Sequence, residues 1–126
     1  MNVLLTNGTD RIEFAFPQEL NADFDECNDV IIKIAVANLH YSYQEEFLTQ
    51  SIIEFLEKCF IHHSEFPILS GIGFSLSINK KDELGHYKAV INIDDDFHKI
   101  FLKFEMDLVL TEIKSFVSDL KKLAIC

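Results

Sequence analysis

Three side chains that can bind a metal ion recur at every second position near the end of a predicted strand. Asp94, Asp96 and His98 stand at i, i+2 and i+4, and Glu105 follows where a calcium-binding loop places its bidentate ligand. The sixth position of such a loop needs a glycine for its sharp turn, but Lys99 occupies it here. The residues that follow alternate as in a strand, so we expect no metal site.

Other residues with catalytic potential are isolated from one another. His62 and His63 follow Cys59, but side chains so close in sequence need a special loop geometry to share a metal ion. Cys59 itself falls on the predicted buried face of a helix, where a thiol behaves as a small apolar group. The Gly-Ile-Gly fragment at 71–73 precedes a strand, whereas dinucleotide-binding loops follow one. The sequence therefore predicts no catalytic residue, no metal site and no cofactor.

Charge is the global feature that carries a functional implication. The 126 residues include 21 acids and 11 bases, for a net charge of −10. Residues 1–29 hold seven of the acids and only Arg11 as a base, so this segment alone contributes −6. Such a field repels nucleic acid and anionic membranes and attracts basic partners. The alternative is that the acids only keep the surface solvated.

Length and composition favour one domain over residues 1–126, because a 48% apolar content is ample for a core. No apolar run is long enough to span a membrane, and no secretory signal is visible at the N-terminus. The three cysteines are an odd number at unrelated spacings, which favours a reducing compartment. We therefore expect a cytoplasmic protein.

The last third of the chain has the clearest periodicity. Residues 87–93 and 99–106 alternate apolar and polar side chains, which predicts an antiparallel hairpin with one buried face and an acidic turn between its strands. After Asp107, an expected N-cap, the apolar period becomes helical and runs from Val109 to Leu123.

The preceding residues give weaker but consistent signals. Strands are predicted at 3–5 and 11–16, at 30–37 and 41–47, and at 72–79, with a helix beginning near Thr49 or Ser51. The order is β-β-β-β-α-β-β-β-α. It predicts an α+β fold with one largely antiparallel sheet of six to seven strands and two amphipathic helices packed on one face.

Several segments carry a family resemblance. They are the helix Leu48–Leu56, the strand opening Leu84-Gly85-His86-Tyr87, and Phe104–Asp107 running into the segment 113–120. With the order of elements, they make the chain from Val30 to Leu123 resemble the bacterial immunity proteins of the WapI type. These neutralise the C-terminal toxin domains of large contact-dependent or wall-associated proteins.

The resemblance implies a non-catalytic protein that binds and occludes a cognate toxin, and many such toxins are basic nucleases. An acidic surface would speed the encounter and compete with nucleic acid, which the chain itself would not bind. The N-terminal acids are one possible contact surface. The expected contact residues are acids in three other groups: Asp94, Asp95 and Asp96; Glu45 and Glu46; Asp82 and Glu83.

Two other functional classes stay open from the sequence, as does the oligomeric state. One is a non-catalytic adaptor or regulatory domain that binds a partner other than a toxin. The other is a small ligand-binding or hydrolytic domain, which a pocket containing His86 or His98 beside an acid would favour.

Overall fold

The fold consists of two antiparallel meanders joined by a helix. The structure is a computed structural model that describes residues 1–23, 25–59, 67–96 and 99–125. In the first sheet, four strands pair in chain order: β1 (Asn2–Thr6), β2 (Arg11–Ala15), β3 (Cys27–Val36) and β4 (Leu39–Leu48). Helix α1 (Thr49–Lys58) follows directly. The second sheet orders β5 (Leu69–Ser70), β6 (Phe74–Lys80), β7 (His86–Asp95) and β8 (Ile100–Val109), and helix α2 (Leu110–Ile125) ends the described chain.

The α+β class, the antiparallel pairing and the two helices are confirmed, but the strand count and order differ from the prediction. Instead of one sheet of six to seven strands there are two sheets of four, with the short β5 added. At the end of β4 the Glu46 carbonyl accepts a hydrogen bond at 3.0 Å from the backbone N–H of Ile72, which belongs to a turn and not to a strand. This contact connects the two sheets without extending the β4 ladder into a continuous sheet.

One apolar core contains residues of both sheets and both helices. Phe14 of β2 lies at its centre, with its ring 5.8 Å from Phe74 of β6 and 5.7 Å from Phe116 of α2. Phe116 in turn contacts Phe55 of α1. The predicted apolar stripe of α2 is buried from Ile113 to Leu123, whereas Val109, its expected first member, belongs to β8 and is 40% exposed. Burial of these faces removes apolar surface from water, which is the main favourable term in folding.

Two local predictions are wrong. Asp107 does not cap α2, because β8 continues to Val109 and the carboxylate of Asp107 pairs with Lys81 at 3.0 Å. The N-terminus of α2 is instead capped by Glu112, whose carboxylate accepts the backbone N–H of Val109 at 2.8 Å. Ile72, expected on the buried face of a strand, lies in the turn before β6 and is 70% exposed.

Candidate protein-binding site

The two sheets are joined at one end by the turn 71–73. On one side, Ile72 donates its backbone N–H to Glu46 of β4; on the other, the carbonyl of Gly73 accepts the N–H of Asp94 at 2.8 Å. The ends of β4 and β7 are therefore held by backbone hydrogen bonds to the same three residues. Side chains at these two strand ends have fixed relative positions.

A buried carboxylate reinforces this junction. Glu45 points inward from β4 and is only 4% exposed. Its Oε1 accepts the backbone N–H groups of Gly73 at 3.0 Å and of Glu46 at 3.1 Å, while Oε2 accepts the hydroxyl of Tyr43 at 3.1 Å. Burial, together with the charge of Glu45, raises the pKa of the Tyr43 phenol, which therefore stays a donor.

Two glycines allow the turn to approach β4 and β7 this closely. A Cβ atom on Gly71 would lie 3.0 Å from both the Cγ of Glu45 and the carbonyl oxygen of Glu46. A Cβ atom on Gly73 would lie 2.9 Å from the carbonyl oxygen of Asp94, closer than side chains normally come to backbone. The Gly-Ile-Gly fragment thus has a packing role at the junction of the sheets.

An acidic groove of about 590 Å³ opens at this junction. We use the name acidic groove for the surface lined by Gln44, Glu45, Glu46, Ile72, Gly73, Asp94, Asp95 and Asp96. Glu46, Asp94 and Asp96 are exposed, Asp95 is half-buried, and none of the lining residues is basic. The structure thus brings together five of the seven acids predicted as contact residues, from segments almost fifty positions apart.

A further acid extends the negative surface. Asp29 of β3 lies directly opposite Glu46 of β4 in the strand register, and both side chains are exposed. Like charges placed directly across two strands are unfavourable. Asp29 is one of the N-terminal acids that the sequence left as an alternative contact surface. A two-residue turn at Ala37-Asn38 places it opposite Glu46 when the register is counted back along the hairpin.

Exposed apolar side chains border the acidic groove. Ile72 is 70% exposed, and Phe101 on the outer face of β8 is 59% exposed. Both line a second groove of about 640 Å³ on the outer face of the second sheet, which shares Ile72, Gly73 and Asp94 with the acidic groove. Apolar groups beside fixed charges are the usual composition of a protein interface. Phe101 is not among the residues expected from the sequence to contact a partner, and Ile72 was expected to be buried.

The other two predicted contact acids, Asp82 and Glu83, lie elsewhere. They belong to the turn before β7, whereas Asp94 lies near its far end, about 27 Å away for a strand of this length. Asp82 is bonded to His86 Nδ1 at 2.7 Å and accepts the backbone N–H of Leu84 at 2.8 Å. Its hydrogen bond to His86 lowers the pKa of Asp82. Glu83 pairs with Lys80 at 2.8 Å.

Four of the seven N-terminal acids, the alternative contact surface, lie on the loop between β2 and β3, which is tied to the start of α1: Glu19, Asp23, Asp25 and Glu26. The buried Asn28 accepts the N–H of Asn21 at 2.8 Å and donates to the hydroxyl of Thr49 at 2.8 Å. That hydroxyl donates in turn to the carbonyl of Asn21 at 2.9 Å. The backbone carbonyl of Glu26, also on this loop, accepts the backbone N–H of Thr49.

Residues suited to catalysis are few in the part of the chain that the structure describes. His86 lines a groove of about 510 Å³ together with Lys81, Asp107 and Glu112. Cys59 is buried, and burial raises the pKa of its thiol to about 12, so it is no nucleophile at neutral pH. No three described His, Cys, Asp or Glu residues form a group that could hold a metal ion. His62, His63 and His98 lie outside the described residues.

Comparison with known proteins identifies no relative: no protein-family model, no curated protein and no solved structure gives a significant match to this chain. The resemblance to WapI-type immunity proteins therefore stays a prediction. Within the described ranges, no helix combines the length and the apolar character needed to cross a bilayer.

Proposed function

We propose that this chain is a non-catalytic binding protein whose acidic groove receives a basic surface of a partner protein. One observation carries the proposal. Exposed carboxylates from the ends of β4 and β7 meet around the turn 71–73, where no lining residue supplies a compensating positive charge. A partner with Lys or Arg side chains would supply that charge.

Part of the groove is held by backbone hydrogen bonds, which favours binding of this kind. Glu46 and Asp94 share backbone hydrogen bonds with the turn 71–73, and the buried carboxylate of Glu45 accepts the N–H of Gly73. Charges that are positioned before the encounter do not have to be ordered at a cost in entropy when the partner arrives. The repulsion between Asp29 and Glu46 would also be relieved by a cation placed between them.

Charge would govern the rate of encounter, and apolar contact the lifetime of the complex. A clustered acidic surface accelerates association with a basic partner, and this steering weakens as salt screens the charges. Ile72 and Phe101 offer apolar side chains at the border of the groove, where truncation of an anchor usually affects dissociation.

Among basic partners, we propose a cognate bacterial toxin, and specifically a nuclease domain. This step rests on the resemblance to WapI-type immunity proteins. Its physical support is that a nuclease must present a positive surface to phosphates, so that a protein with fixed carboxylates can compete for the same surface.

The test is co-expression with the toxin domain encoded immediately upstream, scored by growth and by pull-down of the complex. The groove variant carries Glu46→Lys, Asp94→Lys and Asp96→Lys. We expect growth to be lost and the dissociation constant to rise about a hundredfold or more, because attraction becomes repulsion at close range. The fold should survive, since these three side chains are exposed.

The matched control reverses Asp82 and Glu83 to Lys at the opposite end of β7. Rescue should persist in this variant, because those acids lie about 27 Å from the groove. If the control loses rescue and the groove variant keeps it, the contact surface is at the turn 80–86. If the unaltered chain neither rescues growth nor binds, the immunity role fails for that toxin.

A hydrolytic function is the second candidate, favoured only by the contact between His86 and Asp82. Exchange of His86 for Ala separates the two ideas. Toxin binding and rescue should be unchanged, whereas a hydrolase that uses the pair would lose its general base. An adaptor role would show itself as a stable complex with a partner that is not a toxin, still sensitive to the groove variant.

A further inference from the structure

Strand β8 forms a long edge of the second sheet. It pairs with β7 in one unbroken antiparallel register from Ile100 to Val109, and no other strand among the described residues pairs with its outer side. Edge strands expose unpaired backbone groups and invite pairing with another chain. Proteins usually prevent this by shortening the edge, covering it, pointing a charge inward or placing charged side chains along it. Charges of opposite sign on one edge, however, can complement those of a second copy.

The other sheet edges are short, covered or carry an inward charge, whereas β8 is long, and its charged side chains, Lys103, Glu105 and Asp107, all lie on its outer face. In the first sheet, β1 has five residues and α2 packs against it, while β4 carries the inward carboxylate of Glu45 and is bonded to the turn 71–73. In the second sheet, β5 has only two residues. The inward positions of β8 are all apolar: Ile100, Leu102, Phe104, Met106 and Leu108.

Backbone hydrogen bonds show which residues of β8 face the open edge. The N–H of Leu110 bonds to the carbonyl of Gly85, while the carbonyl of His86 and the N–H of Asp94 bond on the opposite side of β7. Antiparallel pairs alternate between bonded and non-bonded positions. The even-numbered residues of β8 therefore bond to β7, and Phe101, Lys103, Glu105 and Asp107 direct their N–H and C=O groups outward.

We propose that β8 pairs with β8 of a second copy of this chain, in an antiparallel dimer centred on Phe104. In this register Lys103 of one copy lies opposite Glu105 of the other, twice by symmetry. Phe101 lies opposite Asp107 of the other copy. Each residue of β8 whose N–H and C=O groups face the open edge then lies opposite another such residue of the second copy. These pairs can therefore exchange backbone hydrogen bonds.

Charge selects this register among its neighbours. If one copy is shifted by two residues in one direction, Lys103 lies opposite Lys103 of the other copy. If it is shifted by two residues in the other direction, Glu105 lies opposite Glu105, although Lys103 then lies opposite Asp107. Only the register centred on Phe104 pairs Lys103 with Glu105 without placing like charges opposite one another. Opposite charges across strands are favourable, and like charges are unfavourable. Glu105 already contacts Lys88 on its own sheet at 3.3 Å, so in the dimer it lies between two cations.

The inner side of the edge also gains from pairing. Leu102 and Phe104 face the core but are only half-buried. In the dimer, Leu102 lies opposite Met106 of the second copy, and Phe104 lies opposite its own counterpart. The two four-stranded sheets become one continuous sheet, with an acidic groove near each end. This inference does not depend on what the groove binds.

The test is sedimentation velocity of the full chain over a range of concentrations, with a charge-swap series. The unaltered chain should dimerise as concentration rises. Lys103→Glu or Glu105→Lys alone should weaken dimerisation about tenfold or more, because each places like charges opposite one another twice. The double exchange restores opposite charges and should return the affinity to within about threefold of the original value. A chain that stays monomeric at all concentrations overturns the proposal.

Amide hydrogen exchange followed by NMR supplies a measurement that does not rely on substitution. The N–H groups of Lys103 and Glu105 should become protected as concentration rises, whereas those of Leu102 and Phe104 should be protected at every concentration. A dimer in which the amides of Lys103 and Glu105 exchange freely would place the interface elsewhere and refute the pairing. Equal effects of the single and double charge variants would refute the register.

Discussion

The two ends of β7 carry similar numbers of acids in opposite electrostatic settings. At the His86 end, Asp82 contacts His86 at 2.7 Å, Glu83 contacts Lys80 at 2.8 Å and Asp107 contacts Lys81 at 3.0 Å. At the groove end, no described basic residue forms an ion pair with Glu46, Asp94 or Asp96. Acids at the first end stabilise a turn, and those at the second end remain available to a partner.

This difference shows why net charge alone is a poor guide to a binding surface. Glu83 and Asp107 add to the total of −10 but present little free potential, because a lysine ammonium lies within bonding distance of each. Glu46 of the groove lies directly opposite Asp29, and no residue that lines the groove is basic. Natural proteins accept such unfavourable arrangements mainly where function requires them.

Replacement of Glu45 by Ala should have the largest effect. The change leaves the N–H of Gly73 and the hydroxyl of Tyr43 buried without their acceptor, and we expect the free energy of unfolding to fall by about 3 kcal/mol. Chemical denaturation measures this loss. Amide exchange should show faster opening at the turn 71–73 than at the turn 80–86, because Glu45 contacts only the first.

The adjacent Gln44 provides the control, since its side chain is exposed on the other face of β4. Gln44→Ala should change the free energy of unfolding by less than about 0.5 kcal/mol. Equal losses for Glu45→Ala and Gln44→Ala would show that the buried carboxylate does not hold the two sheets together.

Replacing one glycine with alanine at each end of β7 should have the next largest effect on the free energy of unfolding. At Gly73 the new Cβ meets the carbonyl oxygen of Asp94 at 2.9 Å, and we expect a loss of about 2 kcal/mol together with weaker partner binding. At Gly85 the Cβ has open space but φ is +86°, so the loss should be about 1 kcal/mol, with binding unchanged. Chemical denaturation and titration with the partner protein test both variants. Equal partner affinity of Gly73→Ala and Gly85→Ala would show that the turn 71–73 does not contribute to binding.

Local patterns in the sequence predict much of the fold. Alternation in residues 87–93 and the helical stripe of α2 determine which faces are buried, since these patterns depend only on neighbouring positions. The division into two sheets is not local. At the junction of the sheets, the carbonyl of Glu46 in β4 bonds to the N–H of Ile72 in a turn. No local sequence pattern connects these two residues.

The acidic groove was predictable only in part, for the same reason. Composition drew attention to Glu46 and to the acidic turn at Asp94, but their proximity follows from the turn 71–73, which alternation assigned to a strand. Glu45 shows most clearly what the sequence does not predict, which is the burial of a charged side chain. An acid in a polar-looking run is expected on the surface, and only the tertiary arrangement of donors around it explains its burial.

The smallest predicted effects have opposite signs at the two ends. Glu46→Gln removes the repulsion from Asp29 and should raise the free energy of unfolding by about 0.5 kcal/mol at low salt. Asp82→Asn removes the carboxylate that bonds to His86 Nδ1 and should lower stability slightly. Thermal denaturation at neutral pH compares the two, and added salt should shrink both differences because the side chains are solvated.

The pH dependence separates these two variants further. Because the folded state lowers the pKa of Asp82 below 3.8, its contribution is present above that pH and is lost as the pH falls through the lowered value. The gap in melting temperature between the unaltered chain and Asp82→Asn should therefore close in acid. A gap that persists at pH 2 would show that the Asn change acts through the geometry of the turn. Stability lost on Glu46→Gln would contradict the assignment of the groove acids as mutually repelling groups.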